Sequence, residues 1–149
     1  MDRRKNGFTL IEMLTVIMLG AVLTGFAMKG FGVTGSQTAT RQARNVFSGM
    51  AARARAQAIE SGQTTRLIAD ARDDSVIIVA NGQIVEEVQF GGEMEIDIRA
   101  TQDVTQLCMN PRGYANQDCN SFNTTVEVAF FQGNESRSLE ILPLGQIRW

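Results

Sequence analysis

The sequence predicts an α+β protein, in which a long hydrophobic N-terminal helix continues into an amphipathic helix that packs against an antiparallel β-sheet head. Three patterns predict this architecture. Residues 8–28 are mostly apolar and carry no charge except Glu12, apolar residues recur every three or four positions across 39–58, and their spacing changes to two after Gly62. With 149 residues, 44% of them hydrophobic and 20% charged, the chain has the size and composition of one globular unit.

The apolar segment 8–28 is long enough to cross a membrane. Its 21 residues would form a helix about 31 Å long, close to the ~30 Å thickness of bilayer hydrocarbon. Residues 1–7 carry three basic side chains and one acid, so the positive-inside rule predicts a cytoplasmic N terminus and places the rest of the chain across the membrane. The run is longer than the apolar region of a secretory signal, and no A-x-A site follows it. A signal anchor that is never cut is the simplest alternative.

Glu12 is the feature that a plain anchor does not explain. A carboxylate costs about 2.5–3.5 kcal/mol at the centre of a membrane helix and less toward its ends, so it needs a partner. The alternative is that the side chain reaches the interface and stays in water.

The residues GFTLIE at 7–12, behind a basic leader and ahead of a hydrophobic helix, resemble the processing site of type IV prepilins and pseudopilins. The resemblance implies that a prepilin peptidase removes leader residues 1–7 by cutting between Gly7 and Phe8 on the cytoplasmic side. It also implies that Phe8 becomes the N-methylated terminus of the mature chain.

The same resemblance assigns residues 8–29 to a transmembrane and filament-core helix in the bacterial inner membrane, and residues 62–149 to a periplasmic head. It implies that Glu12 pairs with the N-terminal amine of a neighbouring subunit during assembly. The implied partners are other pilin or pseudopilin subunits, the prepilin peptidase, the inner-membrane assembly platform and the membrane itself.

Residues 36–61 are predicted to form the amphipathic helix, with Ser36 as a suitable N-cap. One face carries the apolar stripe, and a second face collects the polar positions Arg41, Arg44, Ser48 and Arg55 by helical geometry. A solvated helix face is the simpler interpretation of this basic stripe; phosphate or acidic neighbours in a filament are the alternative.

The head is predicted from short apolar runs with a period of two. They lie at residues 66–69, 75–79, 83–85, 93–100, 125–132 and 136–142. Asn81-Gly82 between two β-branched runs predicts a hairpin. Met94, Ile96 and Ile98 alternate with acids, which is typical of a strand with one buried face.

Three later segments resemble the GspH/FimT family of pseudopilins. They are ARAQAI at 54–59, NPRG at 110–113 and GQIR at 145–148. This resemblance implies a minor structural subunit near the tip of a type II secretion pseudopilus or a type IV pilus. Some FimT-type subunits bind DNA during natural transformation through an arginine-rich C terminus. This chain departs from that pattern, because residues 145–149 keep one arginine and lack the basic cluster; Arg112 and Arg148 are the candidate DNA contacts, with Trp149 as a stacking surface.

Cys108 and Cys119 are the only cysteines. Outside the cytoplasm they could close a loop worth about 2–3 kcal/mol, and the alternative is two unlinked thiols. No metal site is predicted, because no histidine or further cysteine could complete one.

No enzymatic activity and no cofactor are predicted. The chain has no histidine, the commonest general base, and its carboxylates form no catalytic spacing. Residues 30–35 spell G-x-G-x-x-G, but the strand and βαβ unit that a dinucleotide site requires are missing. Residues 61–149 hold thirteen acids and six arginines, so a broad surface for nucleic acid is not expected.

Overall fold

The computed structural model describes the backbone of residues 9–149 and the side chains of residues 9–25 and 35–149. The chain divides into two compact units, the first ending at Gly35 and the second comprising Ser36–Trp149. One helix, α1, extends from Leu10 to Ser61. Ser36 therefore lies inside α1, and the expectation that it caps a new helix is wrong.

Eight strands and one short helix follow α1. They are β1 (Thr65–Asp70), β2 (Ser75–Ala80), β3 (Gln83–Gln89), α2 (Phe90–Met94), β4 (Asp97–Ala100), β5 (Val104–Met109), β6 (Val126–Gln132), β7 (Glu135–Ile141) and β8 (Ile147–Arg148). These strands form two four-stranded sheets, ordered β3-β2-β1-β5 and β4-β6-β7-β8, and all pairings are antiparallel. The α+β prediction is confirmed.

The predicted hairpin joins β2 and β3. Asn81 and Gly82 have φ values of 56° and 77°, which is the two-residue geometry that follows the twist of antiparallel strands. Gly133 turns the chain between β6 and β7 with a φ of 58°.

The strand predicted at residues 93–100 is partly wrong. Residues 90–94 form helix α2, Glu95 ends it in the left-handed conformation, and only residues 97–100 form β4. The predicted alternation survives, because Ile96 and Ile98 are buried while the acids between them are exposed. The strand β5 was not predicted.

Asp74 ties the two sheets together at this irregular point. Its backbone oxygen accepts the N–H of Phe90 at 2.8 Å, and its Oδ1 accepts the N–H of Ile98 at 2.6 Å. One residue in the β1–β2 turn therefore fixes both α2 and β4, which satisfies backbone donors that no strand partner reaches.

The core lies between the second half of α1 and both sheets. The predicted apolar stripe supplies Ala43, Phe47, Met50, Ala54 and Ala58, all fully buried. These side chains meet a cluster of aromatic rings, in which Phe130 has ring-centroid distances of 5.8 Å to Phe47 and 5.7 Å to Phe90. Burial of each large apolar side chain contributes about 1.5–3 kcal/mol, so this contact holds the head to α1.

Candidate functional site

Glu12 lies in the first turn of α1 and closes a capping box with Thr9. The Thr9 N–H and hydroxyl both donate to Glu12 Oε2 at 3.3 Å, and the Glu12 N–H donates to Thr9 Oγ1 at 3.3 Å. This reciprocal pair satisfies N–H groups at the start of the helix, and the carboxylate also favours the positive end of the helix dipole. The side chain is exposed, so its oxygens remain accessible to a further donor.

The helix turns that follow Glu12 present large apolar side chains to the outside. Ten of them between Leu10 and Leu23 are 53–83% exposed. They are distributed around the helix instead of along one stripe, a pattern typical of a helix that is surrounded by apolar material.

Gly7 and Phe8, the predicted cleavage pair, lie outside the described residues. Across the part of the chain that was described, no helix meets the combined length and apolarity needed to cross a membrane.

The three segments that resemble GspH/FimT motifs meet in the structure. The Arg55 Nη2 group donates to the carbonyl oxygen of Gly145 at 2.9 Å. A Cβ placed on Gly113 would lie 3.0 Å from Ile59 Cδ1, so the turn at 110–113 packs against the end of α1. These motif residues therefore build a structural junction, which we call the motif junction: residues 54–59, 110–113 and 145–148.

Glycine is required at Gly145 for two reasons. Its φ is 81°, in the left-handed region, and a Cβ there would lie 3.0 Å from the Cβ of Ala115 and 3.1 Å from Met109 Cε. Any residue with a Cβ at this position would be destabilised both by the left-handed conformation and by steric crowding.

Arg112 stands at the tip of a tight turn. Asn110 Oδ1 accepts the N–H groups of Arg112 and Tyr114 at 2.9 and 3.1 Å, and Asn110 O accepts the N–H of Gly113 at 2.9 Å. The Arg112 side chain is exposed.

Arg148 lies on another element, β8, and is already paired. Its Nε donates to Glu140 Oε2 at 2.6 Å, between side chains that are 70% and 42% exposed. The structure therefore places the two candidate DNA contacts on separate elements, and a carboxylate neutralises one of them.

The arginines of the basic stripe on α1 have different surroundings in the structure. Arg44 lies over the ring of Trp149, with its Cζ 5.3 Å from the centroid, whereas Arg41 is exposed and away from this contact.

Beside Arg44 and Trp149, an open groove of about 350 Å³ lies between residues 48–55 of α1 and residues 145–149. We call it the terminal groove. Sequence spacing alone did not reveal it, because its two walls are some 90 residues apart.

Cys108 and Cys119 are joined by a disulfide with 5.8 Å between their Cα atoms. The closed loop lies along the outer edge of β5. Asn116 N–H donates to Cys108 O at 2.8 Å, Ser121 N–H donates to Gln106 O at 3.0 Å, and Cys108 N–H donates to Asn120 Oδ1 at 2.9 Å. The disulfide therefore holds this loop over the backbone N–H and C=O groups of β5, which is an edge strand.

Replacing both Cys108 and Cys119 with alanine should lower the free energy of unfolding by about 2–3 kcal/mol, the loop-closure entropy expected for a loop of this length. Thermal unfolding followed by circular dichroism would measure the loss. A reductant should destabilise the wild type by a similar amount and leave the double variant unchanged. An equal effect of reductant on both proteins would contradict this role of the bond.

The N–H groups around Asp70 shift the pKa of its carboxyl group. The backbone N–H of Arg72 donates to Asp70 Oδ1 at 3.0 Å, and the Arg72 side chain adds a weaker contact. These donors lower the pKa of Asp70 below its usual 3.8, against a smaller opposing effect of burial. Asp70 is the last residue of β1 and takes no part in the motif junction. Elsewhere in residues 9–149, no three or more acidic or sulfur side chains converge as metal ligands do.

Comparison with known proteins gives a motif match and a fold match. Residues 2–28 match the prokaryotic N-terminal methylation motif. The fold is similar to two crystal structures of the type IV minor pilin FimU from Pseudomonas aeruginosa PAO1. The first aligns with a TM-score of 0.55 at 16% identity, over 73% of this chain and 86% of FimU. The second aligns with a TM-score of 0.52 at 17% identity, over 75% and 90%. A sequence search of curated proteins gave no significant match.

Proposed function

We propose, on the premise that this chain is type IV pilin-like in its N-terminal motif and its fold, that it is a minor structural subunit of a type IV pilus or a type II secretion pseudopilus. A prepilin peptidase removes residues 1–7 and methylates Phe8. The mature subunit is held in the bacterial inner membrane with its head in the periplasm, and it enters the filament through α1.

The observation that carries the proposal is the exposed apolar surface between Leu10 and Leu23. Leaving this surface in water costs roughly 25 cal/mol per Å², so bilayer hydrocarbon covers it before assembly and the helices of other subunits cover it in the filament. Because lipid tails are as apolar as these side chains, close helix packing and the pairing of polar groups favour the exchange. The role is therefore structural, and no reaction is assigned to the head.

Glu12 sets how the apolar helices of neighbouring subunits align along their axes. A carboxylate among apolar helices is penalised unless a cation meets it, and the N-terminal amine released at Phe8 of a neighbouring subunit is a suitable cation. The capping box leaves the exposed carboxylate oxygens available for that contact.

Two substitutions separate the capping role of Glu12 from its charge. Glu12→Gln keeps a capping-box acceptor, because glutamine serves at this position as glutamate does, but it removes the charge. Both Glu12→Gln and Glu12→Ala should lower filament incorporation at least about tenfold, since a charge-assisted hydrogen bond contributes about 1.5–3 kcal/mol. Immunoblots of sheared filaments and of membranes would measure incorporation and anchoring. Normal incorporation of Glu12→Gln would show that only helix capping matters.

Mass spectrometry of the native protein tests processing directly. We expect a mature chain that begins at Phe8 with one added methyl group. A chain that retains Met1 and all of residues 1–7 would overturn the proposal.

The DNA-binding alternative has less support. Arg148 is paired with Glu140, and residues 61–149 carry thirteen acids against six arginines. Phosphate binding would weaken steeply with salt, so gel shifts at several salt concentrations would reveal it.

A further inference from the structure

The terminal groove combines apolar side chains with one guanidinium group in its lining and a second beside it. Ala51, Ala52, Ile147 and the Trp149 ring contribute the apolar surface, and Arg55 lines the groove. Arg44 adjoins it through its contact with Trp149.

Both guanidinium groups have unused donors. Arg44 Nε and Arg55 Nε are buried and have no hydrogen-bond partner. Arg55 donates from Nη2 to Gly145, and no carboxylate forms an ion pair with either arginine among the described residues. An arginine has five N–H donors and no acceptor, and both side chains are only half-buried, so their remaining N–H groups can meet an acceptor from outside.

The spacing of the two arginines defines the length of that acceptor. Eleven helical residues separate Arg44 from Arg55, which is about 16 Å along the axis. An extended peptide rises about 3.3 Å per residue and places alternate side chains on one face. In a segment of five residues, acids at the first and fifth positions lie about 13 Å apart on one face, and their own side chains cover the remaining distance to the two arginines. An apolar residue at the third position then lies over the apolar side chains of the groove.

A nucleic acid fits this surface less well. A second pocket against Trp149 is lined by Glu127 and by the Glu140–Arg148 ion pair, and this excess of negative charge repels a phosphate backbone that continues past the groove. A short peptide has two isolated charges and can avoid this pocket.

We propose that the terminal groove binds an extended acidic peptide segment of a neighbouring pilin-like subunit. The carboxylates accept hydrogen bonds from Arg44 and Arg55, and the apolar side chain lies against Trp149. The identity of the neighbour rests on the proposed function, while the chemistry of the groove does not.

Trp149 is the only tryptophan, so its fluorescence reports directly on the groove. The full chain in detergent would be titrated with the capped peptide Glu-Ser-Leu-Ser-Glu. The same peptide with both acids changed to glutamine tests the charges, and one with serine in place of leucine tests the apolar contact. A saturable change in Trp149 fluorescence is expected with the acidic peptide, and both altered peptides should bind more weakly.

Arg44→Gln should lower the affinity of the acidic peptide about tenfold, which corresponds to about 1.4 kcal/mol. Arg41→Gln is the matched control, because it removes the same charge one helical turn away and outside the groove. It should change the affinity by less than about twofold. Equal losses in the two variants, or no saturable binding by the wild type, would overturn the proposal. Tighter, steeply salt-dependent binding of a short oligothymidylate at the same arginine would also overturn it, in favour of nucleic acid.

Incorporation in cells tests the source of the segment. Arg44→Gln should be processed at the N terminus like the wild type but enter filaments less efficiently than Arg41→Gln. Normal incorporation of a variant that no longer binds the peptide would overturn the assignment to a neighbouring subunit. The Glu12 variants and the mass of the mature chain would still test the proposed function separately.

Discussion

Phe130→Ala should destabilise the head by about 3–5 kcal/mol, the usual cost of removing a fully buried phenylalanine. Phe130 is fully buried and lies between Phe47 of α1 and Phe90 of α2, at centroid distances of 5.8 and 5.7 Å. The substitution therefore leaves a cavity and removes two aromatic contacts that connect a sheet to both helices. Thermal unfolding of the full chain in detergent, followed by circular dichroism, would measure the effect.

Phe131→Ala is the matched control. Phe131 is the next residue of β6, points to the other face of the sheet and is only partly buried, with Arg99 Cζ 4.4 Å from its ring centroid. Its loss should cost about 1 kcal/mol, since an exposed cation–π contact contributes about 0.5–1 kcal/mol. Equal destabilisation by the two alanines would mean that the aromatic cluster is not the centre of the core.

Gly145→Ala should destabilise the head by about 2–5 kcal/mol. The left-handed conformation costs a residue with a Cβ about 1–2 kcal/mol, and forcing a methyl group into a packed site costs about 1–3 kcal/mol more. The new Cβ would lie 3.0 Å from Ala115 Cβ, a short side chain that cannot turn away. The shift would also disturb the carbonyl that accepts from Arg55.

Gly133→Ala separates these two costs. Gly133 also has a positive φ, 58°, but a Cβ there meets nothing within 4 Å. It should therefore show only the conformational cost of about 1–2 kcal/mol. If both variants lose the same stability, packing against Ala115 and Met109 contributes no constraint at Gly145.

The parts of the fold that follow from local periodicity were predictable from the sequence. The stripe on α1 could be located because its buried residues share one face, and the β2–β3 hairpin because Asn81-Gly82 suits the turn. The helix α2 could not be predicted, since Gly91 and Gly92 are poor helix formers and the helix is held by the backbone oxygen of Asp74. In this segment a distant contact overrides local preference.

The candidate site was predictable as a set of motifs but not as an arrangement. The sequence placed Arg44 and Arg55 on one face of a helix, which is a local property. It could not show that Gly145 and Trp149 would meet that face, because no spacing rule connects residues some 90 positions apart. Nor could it show that Glu140 pairs with Arg148, which depends on the register of β7 and β8.

The loop that covers the edge of β5 affects how copies of the head behave when they are packed closely together. Strand edges with free backbone groups act as templates on which other chains add strands and aggregate. Here one edge is sealed by the disulfide loop, β4 and β8 are only four and two residues long, and β3 has an extra residue at Val85 and two adjacent glutamates. Closely packed copies of the head therefore cannot readily add strands to one another's sheets, and side chains must make the contacts between them.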